Sequence, residues 1–157
     1  MAQLIFRPAT RADLPAILTL LENDEISRSR ETPAPAETPE AVDAAYWSAF
    51  EAIDADPRNE LIVAEEAGEV VGTCQLTFTP SLSRRGAERM TIEAVRIRTD
   101  LRGRGAGRAM MQWSLDRARD RGCQLAQLTT DKRRTDAHRF YASLGFEPSH
   151  EGFKLAL

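Results

Sequence analysis

Residues 102–108 read Arg-Gly-Arg-Gly-Ala-Gly-Arg, three arginines and three glycines in seven positions. The stretch before them, 92–98, has Val95 and Ile97 two apart, the spacing of one face of a strand. Ala106, Met110 and Trp113 after them, with a second row at Met111, Leu115 and Ala118, follow the helical period. A strand therefore runs into a glycine turn that opens a helix. The first turn of a helix leaves backbone N–H groups unpaired and carries the positive end of the helix dipole. Glycines let a phosphate come close to those donors, and arginines add charge. The chemistry these residues point to is the holding of a phosphorylated ligand.

The glycine spacing narrows the ligand. A dinucleotide fingerprint, G-x-G-x-x-G, fails because the position it needs after Gly103 and Gly105 holds Arg108. A P-loop fails because no Gly-Lys-Ser/Thr follows. What fits is R-x-x-G-x-G over Arg102, Gly105 and Gly107. This resembles the pyrophosphate-binding motif of the GNAT superfamily, the acetyl-CoA-dependent N-acetyltransferases. On the residues alone, a basic strand–helix turn with no ligand stays open. A second stretch, 137–146, reads Ala-His-Arg-Phe-Tyr-Ala-Ser-Leu-Gly-Phe. It resembles the same family's A-x-x-F-Y-x-x-x-G-F signature, in the same order along the chain.

The resemblance implies acetyl-CoA as co-substrate. Its phosphates would be held by Arg102, Gly103, Arg104, Gly105, Ala106, Gly107 and Arg108, and its pantetheine arm by backbone groups of Val95 and Ile97. It implies that Tyr141 protonates the leaving thiolate. A thiol near pKa 8.5 and a tyrosine near 10 make that transfer reasonable. One position departs from the family: an asparagine that often precedes the tyrosine by seven residues is Arg134 here. Lys132, Arg133 and Arg134 could meet phosphates or form a solvated loop.

Acyl transfer to an amine also needs a base, because only the neutral amine attacks. Glu93 is the candidate. It shares strand parity with Val95 and Ile97, which sets all three along one face. The competing reading is an exposed carboxylate or an ion pair to Arg96 or Arg98. His138 and His150 are read as incidental.

The elements that must position these residues follow from patterning. Strands are expected at 4–7, 60–65, 70–78, 89–98 and 124–130, with two more beginning at Phe146 and at Phe153. Thr10 to Asp13 reads as a capping box before the apolar stripe Leu14, Ile17, Leu18 and Leu21. Residues 24–39 read as a proline-rich loop, with Thr38 capping a helix that carries Val42, Tyr46, Ala49, Phe50 and Ile53. Trp47 lies off that stripe, as a packing residue or a cleft wall. Helices at 106–118 and 137–144 are closed by Gly122 and Gly145. This order predicts an α/β fold, a mixed, mostly antiparallel twisted sheet with helices on both faces; it resembles the GNAT fold, and that resemblance implies a splayed central strand pair. One domain over 1–157 is expected.

Composition sets the remaining bounds. A hydrophobic fraction of 42% and a charged fraction of 29% suit a soluble globular domain. The net charge of −3 argues against nucleic acid as a partner. No apolar run reaches the roughly 20 residues of a membrane helix, and the N-terminus lacks signal-peptide organisation, so a cytoplasmic location is the default. Cys74 and Cys123 read as small buried thiols, neither a disulfide nor a metal pair. The expected activity is acetylation of a primary amine on a small molecule or peptide. The alternative is a non-catalytic acyl-CoA-binding regulatory domain of the same fold. A homodimer stays open.

Overall fold

Alternating apolar residues build the sheet, and helical stripes cover its two faces. The computed structural model describes residues 3–24, 26 and 39–157. The elements are β1 (Ile5–Pro8), α1 (Leu14–Glu22), α2 (Ala44–Ala55), β2 (Asn59–Glu66), β3 (Glu69–Thr79), β4 (Arg89–Ile97), α3 (Ala106–Asp120), β5 (Leu125–Leu128) and α4 (Thr135–Ser143). The strands lie in the order β1-β2-β3-β4-β5. The first four run antiparallel to their neighbours, and β5 runs parallel to β4. Ala67 and Gly68, both at positive φ, make the tight β2–β3 turn.

Two cores result. Ile62, Cys74, Leu76, Phe78, Met90 and Ile92 form one face of the sheet and pack on Met110 and Met111 of α3. Gly72 belongs to this face: a Cβ there would lie 2.7 Å from both Ile97 Cδ1 and Met110 Cε. Val63 on the other face packs with Leu14, Ile17 and Leu18 of α1 and Phe50 of α2. Asp13 holds the start of α1, accepting from Thr10 N–H at 2.7 Å and from Arg7 Nη1 at 2.7 Å. Trp47 is a packing residue, half-buried with the Arg11 guanidinium 4.1 Å above its ring.

Several boundaries differ from the sequence expectation. Thr38 and nearly all of the 24–39 loop lie outside the described residues. Pro39–Ala41 is a short 3-10 turn, and Asp43 caps α2 by accepting from Ala45 N–H at 2.8 Å. The strand expected over 124–130 is confined to Leu125–Leu128. The two strands expected at Phe146 and Phe153 are not formed: among the described residues none pairs with 146–157 in the sheet. No described helix is long and apolar enough to cross a membrane.

Candidate active site

A gap opens where β4 and β5 part. β5 pairs only with Arg89 to Ile92 of β4, so β4 from Glu93 to Ile97 has one edge without a strand partner. The carbonyls of Val95 and Ile97 accept from arginine side chains instead, Arg96 Nη1 at 2.8 Å and Arg102 Nε at 3.3 Å. Sheet edges of this kind are free to bond an extended ligand.

Within the same stretch β4 carries a bulge. Gln75 faces Glu93 and Thr73 faces Arg96, so Cys74 alone stands opposite Ala94 and Val95. Ala94 sits at φ 53°, the conformation that absorbs the extra residue. The bulge reverses the alternation, which corrects the parity argument for Glu93. Val95 and Ile97 face the α3 side and pack against its core. Glu93, exposed, shares the opposite face with Arg96.

The glycine turn lies at the end of β4. Thr99–Leu101 forms a 3-10 turn, and buried Leu101 pins it to the core. Gly103 and Gly105 take φ of 74° and 90°, and a Cβ on either would meet open space. Gly105 is the N-cap of α3 and supplies no side-chain cap. The first helical bond in this turn is Ala109 N–H to the Gly105 carbonyl at 3.0 Å. The N–H groups of Ala106, Gly107 and Arg108 therefore precede any intrahelical acceptor. Arg102 and Arg104 are exposed beside them. Uncapped donors, open space over two glycines and flanking guanidinium groups fit the phosphates of a CoA ester.

The two sequence motifs meet in space. A Cβ on Gly107 would touch Phe140 of α4 at 3.5 Å and Ile97 at 3.8 Å, and Arg108 Nη2 donates to Ser143 Oγ at 3.0 Å. Tyr141 packs on Phe140 at 5.2 Å between ring centroids and on Phe146 at 6.1 Å. Burial raises the Tyr141 phenol above its ordinary pKa, and the nearby Arg96 and Arg134 guanidinium groups offset this only in part. The phenol is thus protonated at neutral pH. Cys74 lies close enough to influence it, but burial pushes that thiol up to about 12, a Ser114 contact notwithstanding. Cys74 is therefore neutral and inert as a nucleophile.

Three residues that the motifs did not single out complete the site. Asp24, just beyond α1, accepts from Arg134 at the N-cap of α4, and its carboxylate lies 3.7 Å from Arg96 Nη2. The three side chains are 16%, 24% and 17% exposed, so their charges interact with little solvent screening. Burial lowers the Arg96 pKa, with Arg134 the next cause. The only sequence signal for this cluster was the arginine standing at the asparagine position. Lys132 and Arg133 turn away, toward Glu151 at 3.7 Å and Asp131 at 2.8 Å.

Comparisons with known proteins agree with this geometry. The model of the Acetyltransferase (GNAT) family matches residues 23–146. Aminoalkylphosphonate N-acetyltransferase of Salmonella typhimurium is 34% identical over 113 residues, 72% of this chain and 73% of that protein. Among solved structures, a protein of Bacillus halodurans C-125 described as a transcriptional regulator is 44% identical. It covers 99% of this chain and 100% of its own at a TM-score of 0.92. Glucosamine-6-phosphate N-acetyltransferase of Arabidopsis thaliana shares the fold at 19% identity and a TM-score of 0.72, over 99% of this chain and 97% of its own.

Proposed function

The chain belongs to the acetyltransferase (GNAT) family and is an acyltransferase, and on that premise we propose that it moves the acetyl group of acetyl-CoA to the primary amine of a small molecule whose other end is anionic. Aminoalkylphosphonates and short amino acids are the class. The observation that carries this reading is the meeting of Arg96 and Arg134 on Asp24, with Arg96 on the same face of β4 as Glu93. Guanidinium groups are the side chains best matched to phosphonate and carboxylate, which they bind through two parallel hydrogen bonds. The β3 partners of Glu93 and Arg96 are Gln75 and Thr73, two residues apart. That spaces the backbone positions of Glu93 and Arg96 by about 7 Å along the strand, the scale of one short zwitterion. The name of the Salmonella relative supports the same class.

Acetyl-CoA would supply an acetyl group on a thioester, held by the uncapped start of α3 and by Arg102, Arg104 and Arg108. Glu93 takes a proton from the acceptor's ammonium, directly or through water, freeing the lone pair for attack on the carbonyl carbon. The C–N bond forms, the C–S bond breaks, the Tyr141 hydroxyl gives its proton to the departing sulfur, and the second proton that the nitrogen sheds on becoming an amide restores the phenol through water. Arg96 and Arg134 hold the far end of the acceptor and so fix the amine's approach.

Arg134→Gln and Arg96→Gln test the substrate class. The expected result is a rise of about tenfold or more in KM for 2-aminoethylphosphonate and β-alanine, as for the loss of a charged hydrogen bond, with kcat/KM for propylamine unchanged. Equal losses on all three amines would overturn it. The regulatory alternative has one finding on its side, the description given to the Bacillus protein. Acetyl-CoA binding without thiol release on any amine would select it.

A further inference from the structure

Asp24 stands between the two arginines proposed to hold the acceptor. Its Oδ2 accepts from Arg134 and lies 3.7 Å from Arg96 Nη2, so both guanidinium groups share one carboxylate oxygen. Local backbone contacts fix each member of the cluster. The Asp24 N–H bonds to the Glu22 carbonyl at 2.7 Å, which holds the residue against the end of α1. The Arg134 N–H bonds to the Asp131 carbonyl at 3.0 Å, and Arg96 Nη1 donates to the Val95 carbonyl at 2.8 Å. All three side chains are largely covered. Pulling a carboxylate away from its guanidinium partners in such a place is strongly unfavourable. Asp24 therefore stays when an acceptor arrives, and the acceptor's anion meets two guanidinium groups and a carboxylate together.

The carboxylate changes what such a site selects. Attraction to fixed charges grows in proportion to the charge of the ligand. The cost of taking the ligand out of water grows with the square of that charge. Two guanidinium groups by themselves suit a dianion. With a carboxylate shared between them their joint field falls toward that of one, and a single negative charge becomes the better match. Arg102 also acts on Arg96. It is exposed, however, with Nε 3.3 Å from the Ile97 carbonyl, on the side assigned to the phosphates of CoA. Glu93 is assigned to the acceptor's ammonium, at the other end of the molecule.

On the reading of Arg96 and Arg134 as the acceptor's anion site, we propose that Asp24 is a specificity-determining residue, which makes that site select amines whose tail carries one negative charge, a carboxylate or a sulfonate, over doubly charged phosphonates. Within the class of anionic amines this ranks short amino acids ahead of aminoalkylphosphonates. Asp24 acts on the tail of the acceptor and not on the amine that reacts. Its effect therefore falls on KM, where discrimination between bound anions is expressed.

Taurine and 2-aminoethylphosphonate test this, because both carry a tetrahedral group on the same two-carbon amine and differ in charge. Thiol release from acetyl-CoA is followed at about pH 8, where the phosphonate, with a second pKa roughly like that of a phosphate near 6, is a dianion. Wild type is expected to show a kcat/KM for taurine about tenfold or more above that for the phosphonate, the scale of one charge in a partly buried site. Asp24→Asn keeps the shape and removes the charge. It should lower KM for the phosphonate and shrink the taurine-to-phosphonate ratio by about tenfold. A wild-type preference for the phosphonate, or no release with either amine, would overturn the proposal, whether or not the variant folds. So would a ratio that Asp24→Asn leaves in place: equal gains would mean that the carboxylate is displaced, equal losses that it only positions the arginines. Arg134→Gln, expected to raise KM for taurine, separates the two levels. A raised KM beside an unmoved Asp24→Asn ratio defeats the selection by Asp24 alone, whereas an unchanged KM defeats the anion site itself.

Discussion

Under the proposed reading Tyr141 is an acid, not a base. Its burial among Phe140 and Phe146 raises the phenol, and the two guanidinium groups beside it recover only part of that shift. The sign is what proton donation needs: the proton stays on through the neutral range and is lost only above the ordinary tyrosine value of about 10. A donor of this kind acts on the departing sulfur and contributes little to the ground state. Tyr141→Phe should therefore lower kcat by roughly 10- to 100-fold, at or below the usual range for a general acid because a thiolate leaves readily. The dissociation constant for acetyl-CoA, read by calorimetry, should stay close to wild type. Wild-type kcat should show no falling limb below about pH 10. Equal turnover in the variant would assign the proton to another donor. Arg134 is the second residue of note. An asparagine there could offer one amide, whereas the arginine reaches Asp24 across the site and ties α4 to the end of α1.

The bulge in β4 organises the site at the scale of elements. By giving Cys74 two partners, Ala94 and Val95, it turns Val95 and Ile97 toward α3 and leaves Glu93 and Arg96 on the face that α1 approaches. Under the proposed reading, cofactor-side and acceptor-side groups thus come from one strand and face opposite ways. Under the proposed reading Glu93 is a base for a protonated amine, and its value falls as solution supplies neutral amine. Glu93→Gln should cut kcat/KM by about a hundredfold near pH 7, with the deficit shrinking as pH rises toward the amine's pKa. A deficit that is constant with pH would make Glu93 a binder of the ammonium group, and no deficit would make it a surface carboxylate.

How far the sequence spoke for itself also differs by element. The hairpin, α1, α3 and α4 were legible, because each is written in local periodicity and turn residues. The bulge was not: it sits at alanine, which carries no turn signal, and it exists only through pairing with β3. Of the Asp24–Arg96–Arg134 cluster only Arg134 drew notice in the sequence, since the three residues are far apart along the chain and meet only in the fold. The last two strands were legible as patterns only, since alternation alone does not place residues 146–157 in the sheet.

For the whole molecule, charge is distributed unevenly. A chain of net charge −3 gathers Arg96, Arg102, Arg104, Arg108 and Arg134 about one gap. Such a field favours polyanionic and anionic ligands over neutral amines, and two such ligands, a CoA ester and an aminoalkyl acid, would neutralise it together. The central claim is that this gap joins an acetyl group to the amine of an anionic acceptor. Free-thiol release from acetyl-CoA, followed with wild-type protein at neutral pH across 2-aminoethylphosphonate, β-alanine, propylamine and a neutral peptide amine, tests it most directly. The account predicts release with the two zwitterions at kcat/KM at least about tenfold above the uncharged-tail amines, the ratio of roughly one charged hydrogen bond. Release that is fastest with propylamine or with the peptide, or no release with any of the four, would contradict it.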